Sequence, residues 1–310
     1  MTDEQRRLFD GLTSKNIALM EEIMYERILF QNNLDDEFLG RLRQKWWRGF
    51  AALDSMYLMT IECVEGFKNK YYKEHEEGAS LGFKHFALQS IHGRACQVFS
   101  EIICLLKNGY ADGAFARWRT LFELSVFAIF IKENDDDVAL AYIEQSNDDL
   151  WGFQTGVEWA KNAACFKNKN DGVTFPKIFK STNFPDDQKE FWLKQYKFSC
   201  KVVHASPQGT IKRLANSGAE QNIIPAGRSE WGLHSPAEHA AHSFFQVTAA
   251  FFATFADAEV VFQTHVLRKW IDVVCKHIYE TVRICFPDIP HAKEVASKYF
   301  GEEQGDNSEN

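Results

Sequence analysis

Apolar residues recur every three or four positions along most of the chain, which is the spacing expected of amphipathic helices. The longest run predicts a helix from about Asp35 to Glu74, preceded by a shorter helix around Lys15–Phe30. Further stripes predict helices near residues 83–107, 113–132, 136–164, 187–205, 235–261 and 264–285. No alternating strand pattern exceeds four residues, so the predicted fold is all-α, a multi-helix bundle with long antiparallel helices.

The segments that interrupt these stripes predict how the chain is divided. Residues 166–185 and the stretch of about 30 residues before Ser235 are predicted to be loops. Ser235-Pro236-Ala237-Glu238 has the form of a helix capping box with proline at the first helical position. The predicted organisation is an N-terminal helical extension over 1–80, a helical core domain over 81–300 and a disordered acidic tail over 301–310.

Composition is typical of a soluble cytoplasmic protein. The 310 residues are 45% hydrophobic, and the seven cysteines are scattered without a Cys-x2-Cys pair, which favours reduced thiols over disulfides or a zinc ribbon. The first residues are charged and do not form a secretory signal. The apolar segments Leu124–Ile131 and Phe244–Phe262 are predicted to be buried core helices, so no contact with a membrane is expected.

The charge is unevenly distributed along the chain. The net charge is −8, but residues 161–213 hold eleven Lys or Arg and four Asp or Glu, a local charge of +7 that leaves −15 elsewhere. Such a basic stretch is either a solvated face or a surface that meets phosphate groups, for example those of RNA. Both interpretations remain open at this stage.

A cluster of polar, chemically capable side chains lies between Tyr196 and Pro207. Tyr196, Cys200 and His204 are spaced at i, i+4 and i+8, so they share one face of the predicted helix, with Ser199 beside it. His204 lies near the helix C-terminus, where an imidazole is suited to general acid/base catalysis. Alternatively, His204 caps the last carbonyl groups and packs on Tyr196.

A second pair of polar residues lies within an apolar helix. Arg119 and Glu123 are four positions apart and therefore on the same face. They either pair with each other or with a neighbouring helix, as buried charges must, or Arg119 binds an anion in a cleft while Glu123 orients it.

Histidines are concentrated at the start of the predicted helix that follows residue 235. His239 and His242 share one face, together with Glu238, and His234 precedes them. A metal site would need a further ligand from another helix, for which Glu123 and His204 are the candidates. Neutral histidines near the surface are the simpler interpretation, so neither a metal nor a cofactor is predicted.

Two of these motifs together resemble a known family. The segment Gly113-Ala-Phe-Ala-Arg-Trp-Arg-Thr-Leu-Phe-Glu-Leu, followed by Tyr196-x2-Ser199-x4-His204-Ala-Ser-Pro, resembles the bacterial domain-of-unknown-function family 5677 over roughly His85–Gln263. The resemblance implies an all-helical fold and bacterial origin. It also implies that the pattern is carried by Arg119, Glu123, Tyr196, Ser199 and His204. The family has no established activity to carry over.

A looser resemblance is to the HEPN helical bundles, which include metal-independent ribonucleases. Their Arg-x4–6-His motif holds the scissile phosphate with arginine and moves protons with histidine. Here Lys197 stands at the corresponding spacing before His204, and the one match, Arg228-x5-His234, lies in a predicted loop. Lysine is a poorer bidentate phosphate ligand than arginine.

Two functions of different classes follow from these motifs. The first is an effector or interaction protein of a defence or stress system, with a polar cleft formed by the five residues of the family pattern. The second is a ribonuclease that uses His204 as general acid/base, with Lys197, Lys201 and Arg228 as phosphate ligands. The sequence does not decide whether the protein is an enzyme. The long helices 35–74 and 264–285 suggest a homodimer, although an intramolecular hairpin would bury the same stripes.

Overall fold

The structure is a computed structural model that describes residues 2–74, 82–148, 156–167, 172–204, 206–216, 226–255 and 257–286. These residues contain helices and no β-strand, so the predicted all-α fold is confirmed. The α-helices are α1 (Asp3–Glu74), α2 (Phe83–Lys107), α3 (Ala111–Glu133), α4 (Asp136–Asp148), α5 (Phe175–Ser181), α6 (Asp186–Val203), α7 (Pro207–Ile211), α8 (His234–Phe252) and α9 (Ala258–Cys285). Short 3-10 helices span Glu158–Asn162 and Leu214–Asn216.

Contacts between residues divide the chain into two compact units, Met1–Lys45 and Trp46–Asn310. The second unit contains the part of α1 from Trp46 onward together with α2–α9. The predicted boundary near residue 80 and the predicted tail 301–310 both lie outside the described residues. The division into an N-terminal helical extension over 1–80, a core domain over 81–300 and a tail over 301–310 therefore stays a prediction.

Several helix ends differ from the expected ones. Two helices were predicted over 15–74, but α1 is continuous because Gln31 stays helical and donates a hydrogen bond to Asp35 one turn later (2.9 Å). The helix predicted over 136–164 ends early, since Gln145 instead binds the backbone of the returning chain at Gly156 (2.7 Å) and Trp159 (2.9 Å).

The third difference lies at α8 and α9. The predicted capping box is wrong, because α8 begins at His234 and no side chain caps its first turn. The phenylalanine-rich helix stops at Phe252 rather than at residue 261. The next helix has its own cap, in which the Asp257 carboxylate accepts a hydrogen bond from the Val260 amide (2.8 Å).

The core lies between α2, α3 and α8, which pack on one another, while α9 packs on α8. Large aromatic side chains fill it; Trp118, Phe122 and Phe251 are fully buried. The apolar segment Leu124–Ile131 of α3 and the α8 part of Phe244–Phe262 lie in this core, where burying apolar surface stabilises the bundle. The prediction of one buried helix over Phe244–Phe262 is wrong at its end, because Val261 and Phe262 lie on α9 and are exposed. Among the described residues, no helix combines the length and the apolarity that crossing a membrane requires.

The second half of α1 and helix α9 form an antiparallel pair. Arg48 forms an ion pair with Glu280 (3.1 Å), and the indole of Trp270 donates a hydrogen bond to the Ala52 carbonyl (3.2 Å). Most of the apolar stripe of residues 46–71 and of the stripe of α9 is buried. Packing within the chain therefore accounts for most of both stripes, with α8 as well as α9 covering α1.

Candidate ligand-binding site

Arg119, Glu123 and Tyr196 form one hydrogen-bonded group. The Arg119 Nε donates to Glu123 Oε1 (3.1 Å), and the Tyr196 hydroxyl donates to the same oxygen (2.6 Å). The guanidinium also lies over the Tyr196 ring, 5.5 Å from its centroid, in a cation–π arrangement. Because α3 and α6 pack together, two residues one turn apart on α3 meet a residue 73 positions later in the chain.

This group forms one wall of a cleft of about 680 Å³, which we call the Arg119 cleft. Its volume is within the range of small-molecule sites. The described residues that line it are Arg119, Glu123, Phe127, Tyr142, Gln145, Ser146, Gly156, Val157, Trp159, Val173, Thr174, Phe175 and Tyr196. Among them Arg119 is the one cation and Glu123 the one carboxylate. Five of the other lining residues carry aromatic rings.

The aromatic rings of the Arg119 cleft support one another. Phe175 stacks on Tyr196 with ring centroids 4.4 Å apart, and Trp159 makes edge contacts with Phe127 (5.3 Å) and Tyr142 (5.0 Å). The sequence did not single out Phe127, Tyr142, Trp159 and Phe175 as site residues. The available signal was that Phe175 lies in a segment predicted to be a loop, where a large aromatic ring needs another explanation.

Burial and charge set the protonation of the group. Burial raises the pKa of Tyr196, and the hydrogen bond to the Glu123 carboxylate raises it further, so the phenol keeps its proton and acts as a donor. Burial opposes the charge on Arg119, but the Tyr196 hydroxyl and the Glu123 carboxylate outweigh it and raise the arginine pKa. Arg119 is therefore a permanent cation.

Glu123 and Tyr196 together orient Arg119. Its Nε is bonded to Glu123 and its guanidinium interacts with Tyr196, whereas Nη1 and Nη2 have no other hydrogen-bond partner among the residues that the structure describes. The side chain is 28% exposed. An arginine oriented through Nε, with both terminal groups available beside a cleft, matches the fork geometry that recognises a carboxylate or a phosphate.

The two other residues of the predicted pattern do not line the Arg119 cleft. Ser199 is fully buried, and its hydroxyl donates to the Tyr196 carbonyl oxygen (2.7 Å). His204 is exposed at the C-terminal end of α6, where its backbone amide donates to the Cys200 carbonyl (2.9 Å). Cys200 itself is half-buried, and burial raises the pKa of its thiol.

The predicted phosphate ligands lie on two separate elements. Lys197 and Lys201 are exposed on α6, and the Lys201 ammonium is hydrogen-bonded to Gln208. Arg228 donates to the carbonyl oxygen (3.2 Å) and the side chain (3.0 Å) of Asn108, and it lies over the Tyr110 ring. Arg228 therefore holds the turn between α2 and α3.

The histidine cluster of α8 is more buried than expected. His239 was expected near the surface, but it is 4% exposed because it faces aromatic rings, with Trp118 at 4.9 Å and Trp192 at 5.1 Å. His234 and His242 are half-buried. The two further ligands suggested by the sequence, Glu123 and His204, belong to other parts of the structure.

Comparison with known proteins identifies one related family. Residues 85–183 match the model of a family of unknown function, DUF5677, which confirms the resemblance over that stretch. The match contains Arg119 and Glu123 and ends before Tyr196, Ser199 and His204. Neither the curated proteins nor the solved structures gave a match to the chain.

Proposed function

We propose that the protein is a helical ligand-binding protein whose Arg119 cleft receives a small molecule with a planar apolar body and one anionic group. It would serve as the interaction or effector module that the sequence analysis predicts, in a bacterial, cytoplasmic defence or stress system. The observation that carries the proposal is the state of Arg119, which Glu123 and Tyr196 orient beside the cleft while no other residue that the structure describes accepts a hydrogen bond from Nη1 or Nη2.

The chemistry of the walls defines the ligand class. A carboxylate or phosphate would accept two parallel hydrogen bonds from Arg119, which is the strongest common mode of anion recognition. The aromatic rings of Phe127, Trp159 and Phe175 would pack on a flat apolar body. Because Tyr196 stays protonated and donates to Glu123, it orients the carboxylate that holds Arg119 rather than accepting a proton from the ligand.

The test compares three probes of one shape, namely 2-naphthoate, 2-naphthyl phosphate and the neutral 2-naphthamide, titrated into the full chain and followed by calorimetry. The two anions should bind more tightly than the amide. Arg119→Gln should weaken binding of the anions by about 10- to 100-fold, because a hydrogen bond to a charged group contributes about 1.5–3 kcal/mol. The anion that binds more tightly indicates whether the natural ligand carries a carboxylate or a phosphate.

Arg117→Gln is the matched control, since Arg117 lies on the same helix, pairs with Glu101 and does not line the cleft. It should leave all three affinities unchanged. Equal affinity of the anions and the amide for the wild-type chain would refute the proposal. An equal effect of the Arg117 and Arg119 substitutions would refute it as well.

The alternative function is a metal-independent ribonuclease of the HEPN type that acts on RNA at the basic region 161–213. Support comes from the exposed surface at the C-terminal end of α6, where Lys197, Lys201 and His204 are all open to solvent. In this proposal His204 is the general acid/base and the two lysines bind phosphate, while Arg228 contributes from its position on Asn108. Ser199 would stabilise α6 through its hydrogen bond to the Tyr196 carbonyl oxygen.

Cleavage of total RNA by the purified chain, and growth arrest on overexpression, test this alternative. His204→Ala should abolish both effects, and His265→Ala, at another exposed histidine, should preserve them. A wild-type chain without cleavage activity, or one that is equally active after His204→Ala, would eliminate His204 as the catalyst.

A homodimer is the partner that the surface of the first unit favours. Twelve large apolar side chains between residues 8 and 34 are each at least 42% exposed. They are Leu8, Phe9, Leu12, Ile17, Leu19, Met20, Met24, Tyr25, Ile28, Leu29, Phe30 and Leu34. Pairing with a second copy would cover part of this apolar surface, and stable complexes bury roughly 800 Å² per partner.

Light scattering coupled to size exclusion tests the dimer. The wild-type chain should elute with twice the mass of one chain, and Leu19→Lys with Phe30→Lys should convert it to a monomer. The same charge added at the polar positions, Asn16→Lys with Asn32→Lys, should leave the dimer intact. A monomeric wild-type chain would contradict the proposal. The exposed apolar residues would then cover another part of the chain or bind a different protein.

A further inference from the structure

Helices α8 and α9 bring together three side chains of the types that bind metals, at a place separate from the Arg119 cleft. Glu238 and His242 lie one turn apart on α8, and Cys275 faces them from α9. One ligand atom of each residue, a carboxylate oxygen, an imidazole nitrogen and the thiol sulfur, lies within 4.8 Å of the other two. Cys275 is buried and the other two are half-buried.

We propose that Glu238, His242 and Cys275 bind a zinc ion. Thiolate, imidazole and carboxylate are the three ligand types of protein zinc sites, and softer ligands such as thiolate disfavour magnesium and calcium. Zinc lies about 2.3 Å from sulfur and about 2.0–2.2 Å from nitrogen or oxygen, which places tetrahedral ligands roughly 3.3–3.7 Å apart. The cluster therefore needs to contract by about 1 Å, which rotation of the Glu238 and His242 side chains can supply.

The surroundings hold the ligands in place. Tyr279, one turn after Cys275 on α9, donates its hydroxyl to Glu238 Oε2 (2.5 Å) and is 1% exposed. The carboxylate would then bind zinc through one oxygen while Tyr279 holds the other, which is the support that metal-ligating carboxylates commonly receive. The Trp192 ring packs beside the His242 ring, with ring centroids 5.7 Å apart.

Three protein ligands leave the fourth tetrahedral position to water or to another small ligand. Binding requires the thiolate, so the Cys275 proton passes to the solvent and affinity rises with pH. Because α8 and α9 contribute ligands from both sides of their contact, the ion would also bind the folded chain in preference to the unfolded one.

The test removes bound metal from the full chain with a chelator and then titrates Zn²⁺ against a fluorescent indicator, with Co²⁺ as the spectroscopic probe. The wild type should bind one Zn²⁺ per chain, and the Co²⁺ form should show thiolate-to-metal charge transfer and the d–d bands of a tetrahedral site. His242→Gln and Cys275→Ser should each weaken binding more than about tenfold. Cys275→Ser should also abolish the charge-transfer band.

Tyr279→Phe tests the positioning role separately, because it removes only the hydroxyl; it should lower zinc affinity about 10-fold or more while keeping the charge-transfer band. His265→Gln and Cys285→Ser, on α9 outside the cluster, should change neither affinity nor spectrum. Absence of zinc binding by the wild type would overturn the proposal. Binding that survives both His242→Gln and Cys275→Ser in folded proteins would overturn it as well.

Discussion

The buried histidine of α2 should make the stability of the fold depend on pH. His92 is 3% exposed, with its Nε2 3.1 Å from the Thr248 hydroxyl and its Nδ1 3.5 Å from the Cys96 sulfur. The Thr248 hydroxyl donates its own proton to the Phe244 carbonyl (3.0 Å), so it accepts from a protonated Nε2. Nδ1 is then the acceptor for the Cys96 thiol, whose pKa burial raises to about 12. The neutral imidazole can therefore form both hydrogen bonds at once, as donor to Thr248 and as acceptor from Cys96.

Protonating this ring inside the core is costly. Burial lowers the pKa of His92 from 6.5 to about 3, and the charge of Lys68 acts in the same direction. Above pH 6.5 the ring is neutral in both the folded and the unfolded chain, and its contribution to stability is complete. As the pH falls below 6.5, only the unfolded chain binds the proton, so stability is lost until the pH reaches about 3. At about 1.36 kcal/mol per pH unit, the full loss is about 5 kcal/mol.

Urea denaturation at a series of pH values, followed by tryptophan fluorescence, measures this contribution. Between pH 6.5 and 4.5 the wild type should lose about 2–3 kcal/mol relative to His92→Gln, since glutamine can donate to Thr248 but does not titrate. His265→Gln, at an exposed histidine of α9, should follow the wild type. Identical pH dependence for the wild type and His92→Gln would refute the reasoning.

Four further substitutions test the packing, the backbone and one hydrogen bond, all by urea denaturation at pH 7.5. Phe67→Ala should lower the free energy of unfolding by about 3–5 kcal/mol, because this fully buried ring lies 4.9 Å and 5.0 Å from two rings of α8. A loss below about 1 kcal/mol would mean that neighbouring side chains move in and fill the cavity. Gly232→Ala should cost about 1–3 kcal/mol, since φ is +75° and a Cβ would lie 2.5 Å from a carbonyl oxygen. Gly66→Ala, on a helix with open space around it, should instead stabilise by about 0.5–1 kcal/mol, and equal effects at the two glycines would contradict this reasoning. Tyr196→Phe should cost about 1.5–3 kcal/mol through the lost hydrogen bond to the Glu123 carboxylate, and an unchanged stability would mean that the carboxylate finds another donor.

The candidate site was predictable where its geometry is local. Arg119 and Glu123 are one turn apart on a helix, so their spacing alone places them together, and the ion pair is present. The proximity of Tyr196 to that pair depends on how α6 packs against α3. The stretch around Tyr196 was singled out by its polar residues, yet its side chains diverge, because Ser199 lies beside the Tyr196 face of α6 and His204 follows the last helical residue with an extended backbone. Ser199 turns into the core and His204 to the solvent.

Cys275 illustrates the opposite case. Along the sequence it is one of seven scattered thiols, and nothing in its neighbourhood suggests a ligand. Glu238 and His242 could be recognised as one face of a helix that lacks a further ligand. Only the packing of α9 on α8 supplies the thiol and, one turn away, the hydroxyl of Tyr279.

The sequence by itself determined the helical class, most helix positions and the faces that are buried, because these follow from an apolar period of 3.6 residues and from local stop signals. It also placed Arg119 and Glu123 on one face of a helix, close enough to pair. The tertiary structure decided which helices are neighbours. It therefore decided the shape of the Arg119 cleft, the buried surroundings that keep His92 neutral, and the cluster of Glu238, His242 and Cys275. Contacts between residues far apart in sequence depend on how side chains fit across helix interfaces, and periodicity along one helix carries no information about its partner.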